Sequence, residues 1–257
     1  MYMQNVYVLI PAYNATKTII PLVRALISSC NKHNLKCKIL VVNDGSTDNT
    51  ERKLRYLKKH FRKNFDFISY NQNKGVMNAT LSGLEHVLRF AKKDDIIVRM
   101  DSDYEHNPKD MYKVLRPVLS SEAIMCFGYL EPDIRQGFLF TFLNYFIGGL
   151  ENKQLFGRWI PQFCPGFYAI RAGVLYNEFM RLRYLCNEYK KRYGSETVHI
   201  DMLLALMSKK YGNVKFVKIS PIKKQWITQK PFSKTKRYFQ LHFNFISFVQ
   251  DFKILHT

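Results

Sequence analysis

The sequence predicts an α/β fold, a mostly parallel central sheet flanked by helices, and three observations carry that expectation. Short β-branched runs alternate with longer helix-like stretches, the rhythm of strand–crossover–strand units. The runs are largely apolar along their length, as strands covered on both faces are. Three of them end in loops of unusual polar composition, and ligands of open parallel sheets bind beyond the carboxyl ends of strands.

Taken in order, residues 6–10 form the first strand and residues 16–33 a stretch long enough for a crossover helix. Residues 38–42 form the second strand, followed by a helix over 48–63 whose start is marked by Thr47 with Glu51 close behind. Strands at 65–69 and 96–100 enclose a helix over 76–92. Pro108 opens the next helix, 108–119, directly after Asn107. Strands at 124–127 and 214–219 complete the pattern. The expected domain spans 1–220, with a nucleotide half over about 1–105 and an acceptor half over about 106–220. Residues 221–257 differ in character and form a basic and amphipathic helical extension.

The chain has 257 residues, 47% of them hydrophobic and 15% aromatic, which excludes a disordered or collagen-like polymer. Its longest near-apolar run, 138–150, is interrupted by Thr141 and Asn144 and falls short of the ~18–20 residues of a spanning helix. No basic segment leading into an apolar stretch marks a signal peptide at the N-terminus. Cys30, Cys37, Cys126, Cys164 and Cys186 are scattered without a CxxC pair, the expectation being reduced thiols in a cytosolic compartment. With 40 Lys plus Arg against 20 Asp plus Glu, the net charge of +20 favours an anionic partner: nucleic acid, a phosphorylated substrate or an acidic membrane. A general lysine enrichment of solvated faces gives the same number.

The polar loops are Pro11-Ala12-Tyr13-Asn14, Asn43-Asp44-Gly45-Ser46-Thr47-Asp48, and Asp101 to Pro108. None carries GxGxxG or GxxxxGK[ST], which disfavours a dinucleotide fold or a P-loop. Acids are scarce overall, yet Asp94, Asp95, Asp101, Asp103 and Glu105 crowd into twelve positions. In an Asp-x-Asp at a strand end, alternate carboxylates point to one side and can converge on one ion. Oxygen ligands of that kind suit Mg2+ or Mn2+. A solvated acidic turn is the plainer alternative.

Together, Pro11 to Asn14, Val42 to Asp48, Asn73-Lys74-Gly75 followed by Ala79 and Gly83, and Met100-Asp101-Ser102-Asp103 resemble the family 2 glycosyltransferases of the GT-A fold. The likeness covers roughly residues 4–220. It implies nucleotide-diphosphate sugars (UDP or GDP), a divalent metal (Mn2+ or Mg2+) and inversion at the anomeric carbon. Carried across, Pro11, Tyr13 and Asp44 surround the base and ribose, with Asn14, Ser46, Gly75 and Ser102 from the same motifs beside them. Asp101 and Asp103 hold the metal–diphosphate.

Within the family the chain is similar to polyprenyl-phosphate glycosyltransferases. Asp101-Ser102-Asp103-Tyr104-Glu105-His106-Asn107-Pro108 resembles their DADLQHPP stretch, and Pro165-Gly166-Phe167-Tyr168 their SGFR segment. Lys230 to Arg237 resembles their phosphate-closing loop, which implies Lys230, Ser233 and Lys234 as contacts for an acceptor phosphate, and with that acceptor Arg135 is expected to pair with the phosphate as well. The usual GSR is Gly128-Tyr129-Leu130 here, Gln162 stands where an acid is expected, and Ala15 replaces a Glu. A hydroxyl of a glycan or glycolipid therefore stays open as acceptor. Asp201, in His199-Ile200-Asp201-Met202, matches the family's late acid: a base for a hydroxyl acceptor, a positioning or capping group for a phosphate. His106 and His199 are either phosphate or sugar contacts or structural histidines.

Residues 223–237 carry Lys223, Lys224, Lys230, Lys234, Lys236 and Arg237 without an acid. Leu241, Phe245, Phe248, Val249 and Phe252 then recur as one helical stripe. Either the stripe meets an anionic membrane, making the enzyme peripheral at the inner, cytoplasmic face, or it packs on the domain core. The basic run 52–63 reads as a solvated helix. A nucleic-acid-binding protein is the competing class, but the chain lacks helix-turn-helix, RNP-type and zinc-ligand signatures, and the acidic loops have no role there. A catalytically silent binding module is disfavoured because Asp44, Asp101, Asp103 and Asp201 are all present.

Overall fold

The computed structural model describes residues 4–130, 138–160, 162–194, 200–220 and 244–254. Seven strands form one sheet: β1 (Asn5–Ala12), β2 (Lys36–Asp44), β3 (Phe65–Tyr70), β4 (Ile96–Met100), β5 (Met125–Leu130), β6 (Gln162–Arg171) and β7 (Val214–Lys218), in spatial order 3-2-1-4-6-5-7. Every pairing is parallel except those of β6, which runs against β4 and β5. The helices are α1 (Ile19–Lys32), α2 (Thr50–His60), α3 (Val76–Leu88), α4 (Met111–Leu119), α5 (Phe138–Phe156), α6 (Ala172–Tyr193), α7 (Ile200–Ser208) and α8 (residues 244–251).

Alternation along the strands divides the core into two layers. Val6, Val8 and Ile10 of β1 pack with Leu22 and Leu26 of α1, Leu54 of α2 and Val114 of α4. Tyr7 and Leu9, one residue out of phase, pack with Leu84 of α3, Leu182 of α6 and Leu203 of α7. Both faces are covered, which is why the strands read as continuous apolar runs. A Cβ on Gly83 would overlap the side chain of Leu9, so α3 sits closer to β1 than any larger residue permits.

Several expected boundaries shift for local reasons. The helix expected from residue 16 begins at Ile19, because the N–H groups of Thr18 and Ile19 turn back onto the Ala15 carbonyl (3.1 and 3.0 Å). The helix expected to reach 92 ends at Leu88, where Phe90 N–H donates to Val87 in a tighter turn (3.0 Å). Pro108 opens a 3-10 turn, Pro108–Asp110, with Asn107 Oδ1 accepting from Lys109 N–H at 3.1 Å, before α4 begins. Strands β1 and β2 run two residues past their expected ends and carry their pairing to Ala12↔Asn43.

One expectation fails. Cys30, near the end of α1, and Cys37, in β2, are joined as a disulfide with Cα atoms 6.2 Å apart, so the five thiols are not all reduced. The turn between α1 and β2 folds the chain back on itself and brings the two residues together, a proximity that spacing alone does not reveal. Cys126 and Cys186 are free and buried. Of the two courses open to the aromatic stripe near the C-terminus, its described residues take the second and pack on the core. Phe245 and Phe248 are fully buried, Val249 nearly so, and the Phe248 ring meets Tyr189 of α6 edge-on at 5.2 Å. Leu241 and the basic run 223–237 lie outside the described residues.

Candidate active site

The ends of β1, β2 and β4 lie at one end of the sheet, because these strands are mutually parallel and adjacent. Their loops meet there. Asn14 takes a left-handed backbone conformation (φ 50°), and its N–H donates to Ser46 Oγ at 2.9 Å. Its side-chain oxygen accepts from the N–H and hydroxyl of Thr47 at 2.9 and 3.3 Å. Asp48 accepts from Thr16 N–H at 3.2 Å and from both the N–H and the hydroxyl of Thr50, while Lys53 donates to the Thr16 carbonyl at 2.6 Å. Burial works against the Asp48 charge, but these hydrogen bonds outweigh it and hold the carboxyl below its usual range. One residue thus latches the first two loops together, and one carboxylate secures the latch.

Behind them, Asp44 is buried and accepts from Lys74 N–H at 2.9 Å, which fixes the loop leading to Gly75 and α3. Gly75 N–H donates to Asn73 Oδ1 at 2.8 Å. Pro11 is buried in β1 opposite Val42. Tyr13, Asn14, Thr16, Lys17, Thr47, Asp48, Ser102 and Asp103 line a cleft of about 720 Å3. Of the residues expected to bind nucleotide sugar, Tyr13, Asn14 and Ser102 thus share one opening, as does Asp103 of the expected metal pair. Ser46 is half-buried and accepts from Asn14, whereas Pro11, Asp44 and Gly75 do not line the opening.

Asp101 and Asp103 face different surroundings. Asp103 lines the cleft, with Glu105 N–H donating to its Oδ1 at 2.9 Å. Burial pushes its carboxyl up, and the Asp101 charge adds to this against the N–H of Glu105. Asp101 is instead ion-paired at 2.8 Å with Arg99 of β4, which also lies 3.6 Å from Asp201 in the first turn of α7. Arg99 and Asp201 are both buried. Burial drives the Asp201 carboxyl up to about 6, with Arg99 opposing and Asp101 reinforcing the shift. The sign follows: with the folded value raised above 3.8, this group's contribution to stability is present below pH about 4 and lost as pH rises through about 6.

Strand β6 makes room for this arrangement. Tyr168 stands opposite Arg99 on the same face, its buried hydroxyl facing the Asp201 carboxylate. A Cβ on Gly166 would collide with the Asp101 carboxylate and the Arg99 guanidinium. Gly166→Ala is therefore expected to destabilise the protein by about 1–3 kcal/mol, read as an earlier midpoint in urea. An unchanged midpoint would show that the two side chains yield freely.

The site also fits a divalent cation. Asp103 is a cleft-lining carboxylate, and His106 near it has a buried, unpartnered Nδ1. Burial holds the His106 ring neutral, down to about 4 against the pull of Asp103, and the ring stacks on Phe167 at 5.3 Å. Among the described residues no three acidic, His or Cys side chains close on one point. Arg135, His199, Lys230, Ser233 and Lys234 lie outside the described residues. Arg99, Gly166 and Tyr168 have no catalytic part in the reading of the sequence, although an arginine inside the apolar run Ile96-Ile97-Val98-Arg99-Met100 is itself a signal.

Comparison with known proteins agrees with this geometry. The family described as Glycosyl transferase family 2 matches residues 7–179. A UDP-N-acetylglucosamine–dolichyl-phosphate N-acetylglucosaminyltransferase from Methanococcus voltae is 32% identical over 126 residues, 45% of this chain and 47% of that protein. An undecaprenyl-phosphate 4-deoxy-4-formamido-L-arabinose transferase from Edwardsiella ictaluri is 26% identical over 172 residues, 67% of this chain and 50% of that protein. The chain spans about half the length of these curated relatives. Glucosyl-3-phosphoglycerate synthase from Mycobacterium tuberculosis, solved with UDP, superposes with a TM-score of 0.58 at 15% identity, covering 96% of this chain and 79% of that one. The same enzyme with Mn2+, UDP-glucose and phosphoglyceric acid gives 0.56 at 14% identity with the same coverage. The seven-stranded sheet is that of the GT-A fold.

Proposed function

Because the chain belongs to glycosyl transferase family 2, we propose that it moves a sugar, with inversion, from a nucleoside-diphosphate sugar to a polyprenyl phosphate at a membrane surface. The observation that carries this reading is the convergence of Tyr13, Asn14, Ser102 and Asp103 on one cleft, with the Asp101–Arg99–Asp201 cluster directly behind. Tyr13 and Asn14 bind the nucleotide end, and Asp44 orients the base through its free carboxylate oxygen. Asp103 is the residue that would hold a divalent cation. When bound, such a cation supplies Lewis-acid relief of the charge that gathers on the leaving diphosphate.

The acceptor assignment rests on three supports. The relatives named above are themselves named for lipid-phosphate acceptors. Asp201 is 4% exposed and paired with Arg99, a poor situation for a base that must touch an incoming hydroxyl but a good one for a positioning carboxylate. A phosphate acceptor is already an anion and needs no base. Tyr145, Phe146, Leu150 and Trp159 on and beyond α5 are also exposed, beside exposed Lys153 and Arg158, a mixture suited to a lipid headgroup boundary. Among the described residues no helix is long and apolar enough to cross a membrane. A sugar hydroxyl as acceptor is the second reading, favoured by an Asp201 carboxyl held near 6, within range of general-base work.

The deciding experiment measures transfer from UDP- and GDP-sugars to polyprenyl phosphate in anionic liposomes, with Asp201→Asn and Lys234→Ala beside the wild type. Hydroxyl attack without its base slows by ~10²–10⁴-fold, whereas phosphate attack tolerates Asp201→Asn far better and suffers from Lys234→Ala. Loss of turnover in Asp201→Asn, full turnover in Lys234→Ala and no flotation with the liposomes would together refute the lipid-phosphate reading.

A further inference from the structure

Arg99 occupies a position that the reaction as described leaves without a task. It lies in the centre of the sheet, buried, with its guanidinium between Asp101 at 2.8 Å and Asp201 at 3.6 Å. Asp101 belongs to the strand-end loop of the nucleotide half, and Asp201 to the first turn of α7 in the acceptor half. The side chain thus joins the two halves through one planar cation. Its fork has the shape to engage two carboxylates at once, which a lysine cannot match.

The arrangement also decides which way Asp101 faces. One of its oxygens is held by Arg99, and the other lies over Gly166, where even a methyl group would not fit. Asp101 is therefore drawn inward, while Asp103, two residues on, faces the cleft. We infer that Arg99 is a positioning residue: it draws the Asp101 carboxylate toward Asp201 and keeps it out of a metal's shell, leaving Asp103 to meet the metal–diphosphate. The inference rests on the glycosyltransferase reading and assigns the charge arrangement within that same site.

The consequence runs against intuition. Asp101, Asp103 and Asp201 share one cationic side chain, and the Arg99 charge reaches Asp103 as well. Replacing it with a neutral residue frees the Asp101 carboxylate to turn toward Asp103 and removes a charge that repels a cation nearby. Metal binding then improves while catalysis worsens, because Asp101 swings into a shell where substrate phosphates belong. A residue that merely supported the fold would weaken both.

The test titrates Mn2+ alone into the protein and follows free Mn2+ by electron paramagnetic resonance, beside sugar transfer at saturating Mn2+. Arg99→Met is expected to bind Mn2+ ~tenfold more tightly and to transfer sugar at least ~tenfold more slowly. Arg99→Lys, which keeps the charge without the fork, is expected to restore wild-type Mn2+ affinity while kcat stays low. Should Arg99→Met fail to fold, Arg99→Met/Asp201→Asn removes one buried charge of each sign, and it must bind Mn2+ more tightly than Asp201→Asn alone. Adding Asp103→Asn must abolish the gain. Wild-type Mn2+ uptake with unchanged or weaker affinity in Arg99→Met, or in Arg99→Met/Asp201→Asn against Asp201→Asn, overturns the role of Arg99 and leaves the family reading intact. No Mn2+ uptake by any form overturns the metal reading of Asp103 and this inference with it.

Discussion

Asp103→Asn is expected to lower sugar transfer by ~10²–10³-fold while leaving the fold unchanged. The substitution keeps the shape of the side chain and removes the one carboxylate of the pair that lines the cleft. Its N–H partner, Glu105, can still donate to the remaining carbonyl oxygen, so the loop retains its turn. The lost charge is felt where negative charge develops, on the departing diphosphate, and each tenfold in rate corresponds to ~1.4 kcal/mol of transition-state stabilisation. The check is calorimetric binding of UDP and GDP with and without Mn2+, followed by initial rates over a Mn2+ series. Equal affinities for wild type and variant in both conditions would remove Asp103 from metal binding.

Phe248→Ala should be the most destabilising substitution in the C-terminal stretch, at about 3–5 kcal/mol. The ring is fully buried, packs at a tilt against Phe252 at 4.4 Å and meets both Tyr189 and Tyr193 of α6 edge-on. Truncation leaves a cavity lined by aromatic side chains that cannot collapse into it. For a chain of this size each kcal/mol moves the melting temperature by roughly 2–4 °C, so calorimetry should see a large fall. A variant melting with the wild type would mean that α8 contributes nothing to the core.

The strands were legible because burial on both faces leaves a compositional mark, and the order of polar loops at their ends was legible for the same reason. The elements from β1 to β4 follow expectation to within a few residues. The chain beyond residue 106 was less readable. β6 breaks the βαβ rhythm by running antiparallel, and Pro165 and Gly166 disguise it. Its glycine is demanded by Asp101 and Arg99, which come from a strand far away in sequence, so no local pattern announces it. Asp201 was found by its place in a motif, but its pairing with Arg99 is a tertiary event. The stripe Phe245–Phe248–Val249 was seen correctly as a stripe. Periodicity gives the width of an apolar face and not what covers it.

The latch built on Asn14 has a consequence for recognition. Flexible donor loops must be ordered when a ligand arrives, and the lost conformational entropy is subtracted from the affinity. On the proposed reading, the wall that would meet the nucleotide is tied in advance by Ser46, Thr47, Asp48 and Lys53. Selection among nucleotides would then depend on fit to a standing shape rather than on closure around the guest. Loosening the knot, as Asn14→Ala would, taxes every nucleotide alike: affinity falls across the board, and the order of preference among bases stays as it was.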